Sequence, residues 1–166
     1  MEPLLRPSTL ADLETHVLHR VAMFQDMDYG DADGRARMAP VFRELLRGWL
    51  TTGQARGWVA ELEGRAVGGA LLQLKEALPT PLSLQRVRGY LYNVYVAPEA
   101  RGKGLARRLT EAALTHARGI GVEVVELHAS KDAEALYRHM GFEPSPEFRL
   151  ILSDAITPPS QWKERR

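Results

Sequence analysis

The sequence predicts an α/β domain in which a single sheet carries helices on both faces. Two observations point to this. Apolar residues recur at helical spacing up to about residue 53, where the pattern switches to short strand-like runs. Beyond that point the order is a hairpin followed by β-α-β-α-β-β, the alternation of a layered α/β fold. The composition agrees: 166 residues, 45% hydrophobic and 26% charged, suit one globular domain. We expect this domain over residues 1–154 and a tail over 155–166, with no repeat and no interdomain linker.

Leu4-Leu5-Arg6 reads as a short strand ended by Pro7. Ser8 or Thr9 can cap a helix with Asp12 and Glu14 in its first turn, and Leu13, Val17, Leu18, Val21 and Phe24 form its apolar side. Residues 26–34 read as a loop, with Asp26, Asp28, Asp31, Asp33 and two glycines. A second helix follows, with Val41, Leu45, Leu46 and Trp49 on one face, and stops near Gly53. Strands are expected over residues 57–63 and 67–74, joined by Glu63-Gly64, with Gly68-Gly69 as a candidate bulge. A proline-bearing loop spans 78–86, and a third long strand spans 89–96, ended by Pro98. The next helix covers 104–118, with Leu105, Leu109 and Ala112 inward; Gly119 and Gly121 end it. A strand over 122–129, a short helix over 132–140, and strands at Phe142 and 148–152 complete the order.

The net charge of +1 gives no basic field that would call for nucleic acid or an anionic membrane. Cysteine is absent, which excludes disulfides, thiolate metal sites and a cysteine nucleophile, and fits a cytoplasmic location. No run of about 18 apolar residues is present, and Met1-Glu2-Pro3-Leu4-Leu5-Arg6 lacks the apolar core of a secretory leader. His16, His19, His116 and His139 fall at solvated helical spacings and form no metal cluster, so no metal is expected.

The segment carrying chemistry runs from Val96 through Pro98, Arg101, Gly102, Lys103 and Gly104 to Leu105 and Ala106. A strand ends, a glycine turn follows and a helix begins. The first N–H groups of a helix are unpaired, the dipole adds positive charge there, and glycine lets a ligand approach the backbone. The product is an anion cradle suited to a phosphate or pyrophosphate, with Arg101, Lys103, Arg107 and Arg108 around it. A dinucleotide fingerprint would need a third glycine where Arg107 stands, and a Walker loop would need Ser or Thr after Gly102-Lys103. A turn that merely closes a βα unit has the same local pattern.

Arg101-x-x-Gly104-x-Ala106 resembles the signature of the GNAT acetyltransferases, R/Q-x-x-G-x-G/A, and Val94-Tyr95-Val96 resembles the V-x-V strand before it. Downstream, the run from Ala133 to Phe142 is similar to the family's A-x-x-L-Y-x-x-x-G-F. The resemblance implies a mixed, mostly antiparallel sheet splayed at the V-x-V strand. It implies acetyl-CoA as co-substrate, its pyrophosphate held over Arg101, Gly102, Lys103, Gly104, Leu105 and Ala106, and its amide arm along Val94, Tyr95 and Val96. Ser130 stands where the family often has an asparagine that touches the cofactor. Tyr137 is implied as the general acid beside the thioester sulfur, and as a cofactor contact; helical spacing alone makes it a packing tyrosine. The base is left between Glu61, His128, and a water held by Asn93 and Tyr92.

The resemblance implies that the acceptor is a primary amine on a small molecule or peptide, and that residues 26–34 and 78–88, which stand where the family's acceptor loops lie, shape its site. Asp26 and Asp28 suit a cationic amine, or else belong to a solvated acidic loop. Phe24, Met27 and Tyr29 supply an apolar wall or core, and Asn93 completes the candidate acceptor contacts. The alternative to an enzyme is a CoA-binding sensor or silent interaction domain; a homodimer is left open.

Overall fold

A computed structural model describes residues 2–158. The five strands are β1 (Leu4–Pro7), β2 (Ala55–Leu62), β3 (Arg65–Glu76), β4 (Val87–Val96) and β5 (Val125–Leu127). The helices are α1 (Leu13–Asp26), α2 (Ala32–Thr52), α3 (Leu105–Gly119) and α4 (Glu134–His139). The strands lie in one sheet in chain order; only the β4–β5 pair is parallel. The expected mixed, mostly antiparallel sheet is therefore present.

Alternation along β3 sorts the two faces. Leu71 joins Leu13 and Val17 of α1 and Phe42 and Leu46 of α2. Ala70 and Leu72 join Leu105, Leu109, Ala113 and Ala117 of α3, with Tyr137 of α4. Thr9 starts the first helical segment: its side chain accepts from the Ala11 N–H, and the Asp12 carboxylate accepts from the Thr9 N–H at 2.7 Å. Asp12 also takes the Arg6 guanidinium at 2.7 Å, which holds its carboxyl at about 2, well below the usual range.

The splay has a visible origin. Pairing with β5 covers only Gly89, Tyr90 and Leu91 of β4. Past Leu91 that edge of β4 has no β5 partner, while Tyr95 and Val96 still pair with Gly69 and Gly68 of β3 on the other side. Between Tyr92 and Tyr95, Asn93 and Val94 of β4 stand opposite the single residue Ala70, and Asn93 takes a left-handed φ of 58°.

Several sequence expectations are corrected. Two bulges interrupt the ladders: Asn93-Val94 on β4, and Val67 on β3, one residue before the expected Gly68-Gly69; the glycines themselves serve close approach, since a Cβ on Gly68 would stand 2.9 Å from the Tyr95 carbonyl oxygen. His16 and His19 are buried under α1 rather than solvated, whereas Leu18, Val41 and Leu45 are exposed. The buried seam of α1 follows Leu13, His16 and Val17, which lie about 100–160° around the helix from Leu18. The acidic loop is shorter than expected: α1 includes Asp26, Asp31 caps α2 by accepting from the Gly34 N–H, and Asp33 lies in its first turn. Ala112 packs against the core as expected but is half-buried, while Ala113 and Ala117 are the fully buried alanines of α3. β5 holds three residues instead of eight. No strand forms at Phe142 or over 148–152, where Phe148, Leu150 and Leu152 are exposed. Pro144 and Pro146 each remove a backbone donor just ahead of that run, which makes it a poor ladder. The expected tail is described only to residue 158; the remainder lies outside the described residues.

Candidate active site

β4 ends at Val96, and a single 3-10 turn, Pro98–Ala100, carries the chain to Arg101. Pro98 suits the start of that turn because its fixed φ is already right and its missing N–H would be unpaired there. The Arg101 Nε donates to the Val96 carbonyl at 2.9 Å, fastening the turn to the strand end. Gly102 and Gly104 then take φ of 75° and 71°, the left-handed region that side-chain-bearing residues avoid. Gly104 is the N-cap of α3 and offers no side chain to its first N–H groups. A cavity of about 140 Å³ opens there, lined by Val96, Arg101, Gly102, Gly104, Leu105, Ala106, Arg107 and Leu136. Of the residues that the sequence assigned to the cradle, Val96, Arg101, Gly102, Gly104, Leu105 and Ala106 line this cavity. Lys103 is exposed and outside the lining, while Leu136 enters from α4. Ser130 begins the turn Lys131–Ala133, half-buried and making no side-chain cap bond.

α4 follows, and Tyr137 is buried in the core that holds Val96 and Leu105. Its ring meets Phe142 edge-on at 5.6 Å. Desolvation pushes the phenol up to about 12, so it keeps its proton at neutral pH. Val94 packs against the same core. Tyr95 points to the opposite face, its ring 5.0 Å from His19, with the Arg101 guanidinium 6.0 Å above it.

The base candidates separate. Glu61 is ion-paired to Arg6 at 2.6 Å on β2, two strands from β4 and therefore about 10 Å away. His128 is exposed just past β5. Asn93 is buried at the bulge; its Nδ2 donates to the His16 carbonyl at 3.0 Å and its Oδ1 has no partner among the described residues. Tyr92, next to it, stacks between Tyr90 at 4.3 Å and Trp49 at 6.4 Å.

The acceptor candidates are only partly brought together. Phe24 and Tyr29 stack at 5.0 Å. Asp26 is ion-paired to Arg101, a residue that lines the cradle. Asp28 is exposed, with φ of 49°. Arg20, which sequence reasoning passed over, lies against Phe24 and Phe42. Its signal was faint: an arginine one turn before a phenylalanine on a helix reads as solvated.

The chain matches the acetyltransferase (GNAT) family over residues 20–142. The chain belongs to this family. Among its relatives is the uncharacterized N-acetyltransferase YjgM of Escherichia coli (strain K12), 35% identical over 147 residues, covering 85% of this chain and 82% of that protein. The crystal structure of a GCN5-related N-acetyltransferase from Ralstonia eutropha JMP134 superposes with a TM-score of 0.86 at 34% identity, covering 90% of this chain and 98% of that one. A predicted acetyltransferase from Clostridium acetobutylicum, solved with acetyl-CoA, shares the fold at a TM-score of 0.83 and 20% identity, covering 90% and 95%. This GNAT chain is an acyltransferase. None of its described helices is long and apolar enough to cross a membrane.

Proposed function

We infer that this chain moves the acetyl group of acetyl-CoA to a primary amine on a small molecule or peptide. The observation that carries the reading is the continuity of the cradle, the free edge of β4 and Tyr137. Uncapped N–H groups at the start of α3, with Arg101 and Arg107 beside them, suit a pyrophosphate. The β4 edge past Leu91 offers backbone groups at Val94, Tyr95 and Val96 to an amide arm, in the manner of an added strand. Lys103 adds charge at the rim, and Ser130 can donate to a cofactor oxygen from the turn before α4.

In the reaction the amine nitrogen attacks the thioester carbonyl, the C–N bond forms and the C–S bond breaks. The amine must shed a proton, and the departing sulfur takes one. Tyr137 holds a proton it does not lose near neutrality and sits in the core shared with Val96 and Leu105, which suits it to supply the second. Asn93 at the bulge and Tyr92 just before it, three and four residues ahead of the strand end at Val96, suit the first task through a water.

Two measurements test the reading. Acetyl-CoA should raise the melting temperature of the wild type and leave Gly104→Asp unmoved, because the carboxylate enters the phosphate site. Wild type should release CoA thiol when amino acids, polyamines, aminoglycosides or peptide N-termini are added. A shift that persists in the mutant, or thiol release that no amine stimulates, contradicts the assignment.

A further inference from the structure

Arg20 stands apart from the other arginines that anchor the fold. Arg6, Arg43 and Arg88 each meet a carboxylate, at 2.6 Å in every case. Arg20 meets none: no hydrogen bond or ion pair joins it to a described residue, and its Nε is buried without a partner. What surrounds it is aromatic. The guanidinium carbon lies 4.8 Å from the Phe24 ring centroid and 4.7 Å from that of Phe42. The ionisable groups acting on it are the phenols of Tyr92 and Tyr29, and desolvation lowers its pKa. Ring contacts hold the planar guanidinium in place and favour its charge, but they satisfy none of its N–H donors. A half-buried, uncompensated cation is costly, and an arginine fork is shaped to take two oxygens of one oxyanion.

Its position gives the cost a use. Tyr92 precedes Asn93 by one residue and Val94 by two, so at about 3.3 Å per residue it lies about 7 Å along the strand from the segment that suits the cofactor arm. Arg20 packs on Phe42, which shares its core cluster with Tyr92, so it lies on the α1–α2 face of β4 beside that residue. The aspartates that had suggested a cationic acceptor are largely engaged elsewhere: Asp26 with Arg101, Asp31 in the cap of α2, Asp33 in its first helical turn.

We propose that the acceptor is an amine that also carries an oxyanion, a carboxylate or a phosphate, which docks on the Arg20 guanidinium between Phe24 and Phe42. This rests on the acetyltransferase reading above and names the substrate class for that site. The anion fixes one end of the acceptor, so that its amine is presented toward Asn93 and Val94.

The test uses the full chain and matched acceptors. Amino acids and ω-amino carboxylates of increasing length are compared with their amides, and with aminoalkyl phosphates of the same length, by CoA thiol release. Wild type should favour one anionic series over the amides by about 10- to 100-fold in kcat/KM, the value of a charge-assisted pair. The carboxylate and phosphate arms tell which oxyanion is meant. Arg20→Gln should erase that preference through the acceptor KM, leave rates with the amides within about twofold, and leave the acetyl-CoA KM unchanged. Arg20→Lys, which keeps the charge and most of the packing, should retain part of the preference and controls for misfolding. Turnover of amines without an anion preference, or a preference that survives Arg20→Gln, overturns the proposal and leaves the acetyltransferase reading standing. Acetyl-CoA binding with no amine turned over in any series overturns both.

Discussion

Tyr137, the proposed general acid, shows how burial sets a protonation state. A phenol with the ordinary value near 10 would begin to ionise in mildly alkaline buffer; burial in the core pushes this one up to about 12. Tyr137→Phe should therefore lower kcat by about 10- to 1,000-fold, with little effect on acetyl-CoA affinity. The same factor should appear at pH 7 and pH 9.5, because the donor is protonated at both; a gap that closes at pH 9.5 would mean that the tyrosine titrates normally. Normal turnover in the mutant would make it a packing residue only. Arg101 and Asp26 give a second test at this scale. The sequence places Asp26 with the acceptor, yet its carboxylate holds the cradle's own arginine. Both side chains are at least a third exposed, so the pair is weak. Asp26→Asn should shift the acetyl-CoA KM downward by no more than about fivefold, as Arg101 is released for phosphate, and spare the acceptor KM. A change confined to the acceptor KM would return Asp26 to the acceptor site.

At the level of elements, what was legible depended on how local the signal was. β4, the turn after it and α3 are bounded by proline and left-handed glycines, so their order and the cradle between them follow from residues close in sequence. α1 was legible as a helix but not in what it buries. Its seam places His16, wholly buried, and His19 against the glycines of β2 and β3, where Gly57 and Gly69 leave room for the imidazoles. Nothing in a one-dimensional pattern distinguishes these from solvated histidines, because the space is made by glycines on other strands. The consequence is measurable. Desolvation holds His16 at about 4, against 6.5 unfolded, with His19 and Arg6 lowering it further and Asp12 opposing. Between those values the unfolded chain binds a proton that the folded one refuses. Stability is thus complete above pH 6.5 and is lost as pH falls toward 4, by on the order of 3 kcal/mol. His19, also lowered by desolvation, adds to the slope. Asp12 is held at about 2 by the Arg6 hydrogen bond and contributes only to losses below the ordinary carboxyl value of 3.8. Urea titrations of wild type and His16→Leu across pH 4–7 check this: the variant should show a much flatter dependence, since both ring nitrogens lack partners and their loss breaks no hydrogen bond. Equal slopes would show that His16 is not the group responsible.

On the scale of the whole molecule, the sheet is anchored at its centre and ends abruptly. β2, β3 and β4 carry the interior on both faces, while β5 holds three residues and nothing pairs beyond it among the described residues. Alternating Phe148, Leu150 and Leu152 read as a strand because period 2 is the strand signal, but a strand also needs a neighbour with free donors and acceptors, and Pro144 and Pro146 interrupt the approach to β5. Phe142, by contrast, does enter the interior, packed against Tyr137 and beside a groove of about 260 Å³ that Val122, Val125 and Leu114 also line. The domain's stability should therefore stop near Phe142. Leu109, fully buried between α3 and the sheet, sets the scale: Leu109→Ala removes core volume and should cost about 2–5 kcal/mol. Phe148 is fully exposed, so Phe148→Ser should change the free energy of unfolding by less than about 0.5 kcal/mol despite its larger side chain. Guanidinium denaturation of the two variants beside wild type, at several protein concentrations, decides the matter. A loss for Phe148→Ser approaching that of Leu109→Ala, if independent of concentration, would mean that residues 148–152 do complete the sheet, and that the edge at β5 is closed in the folded chain.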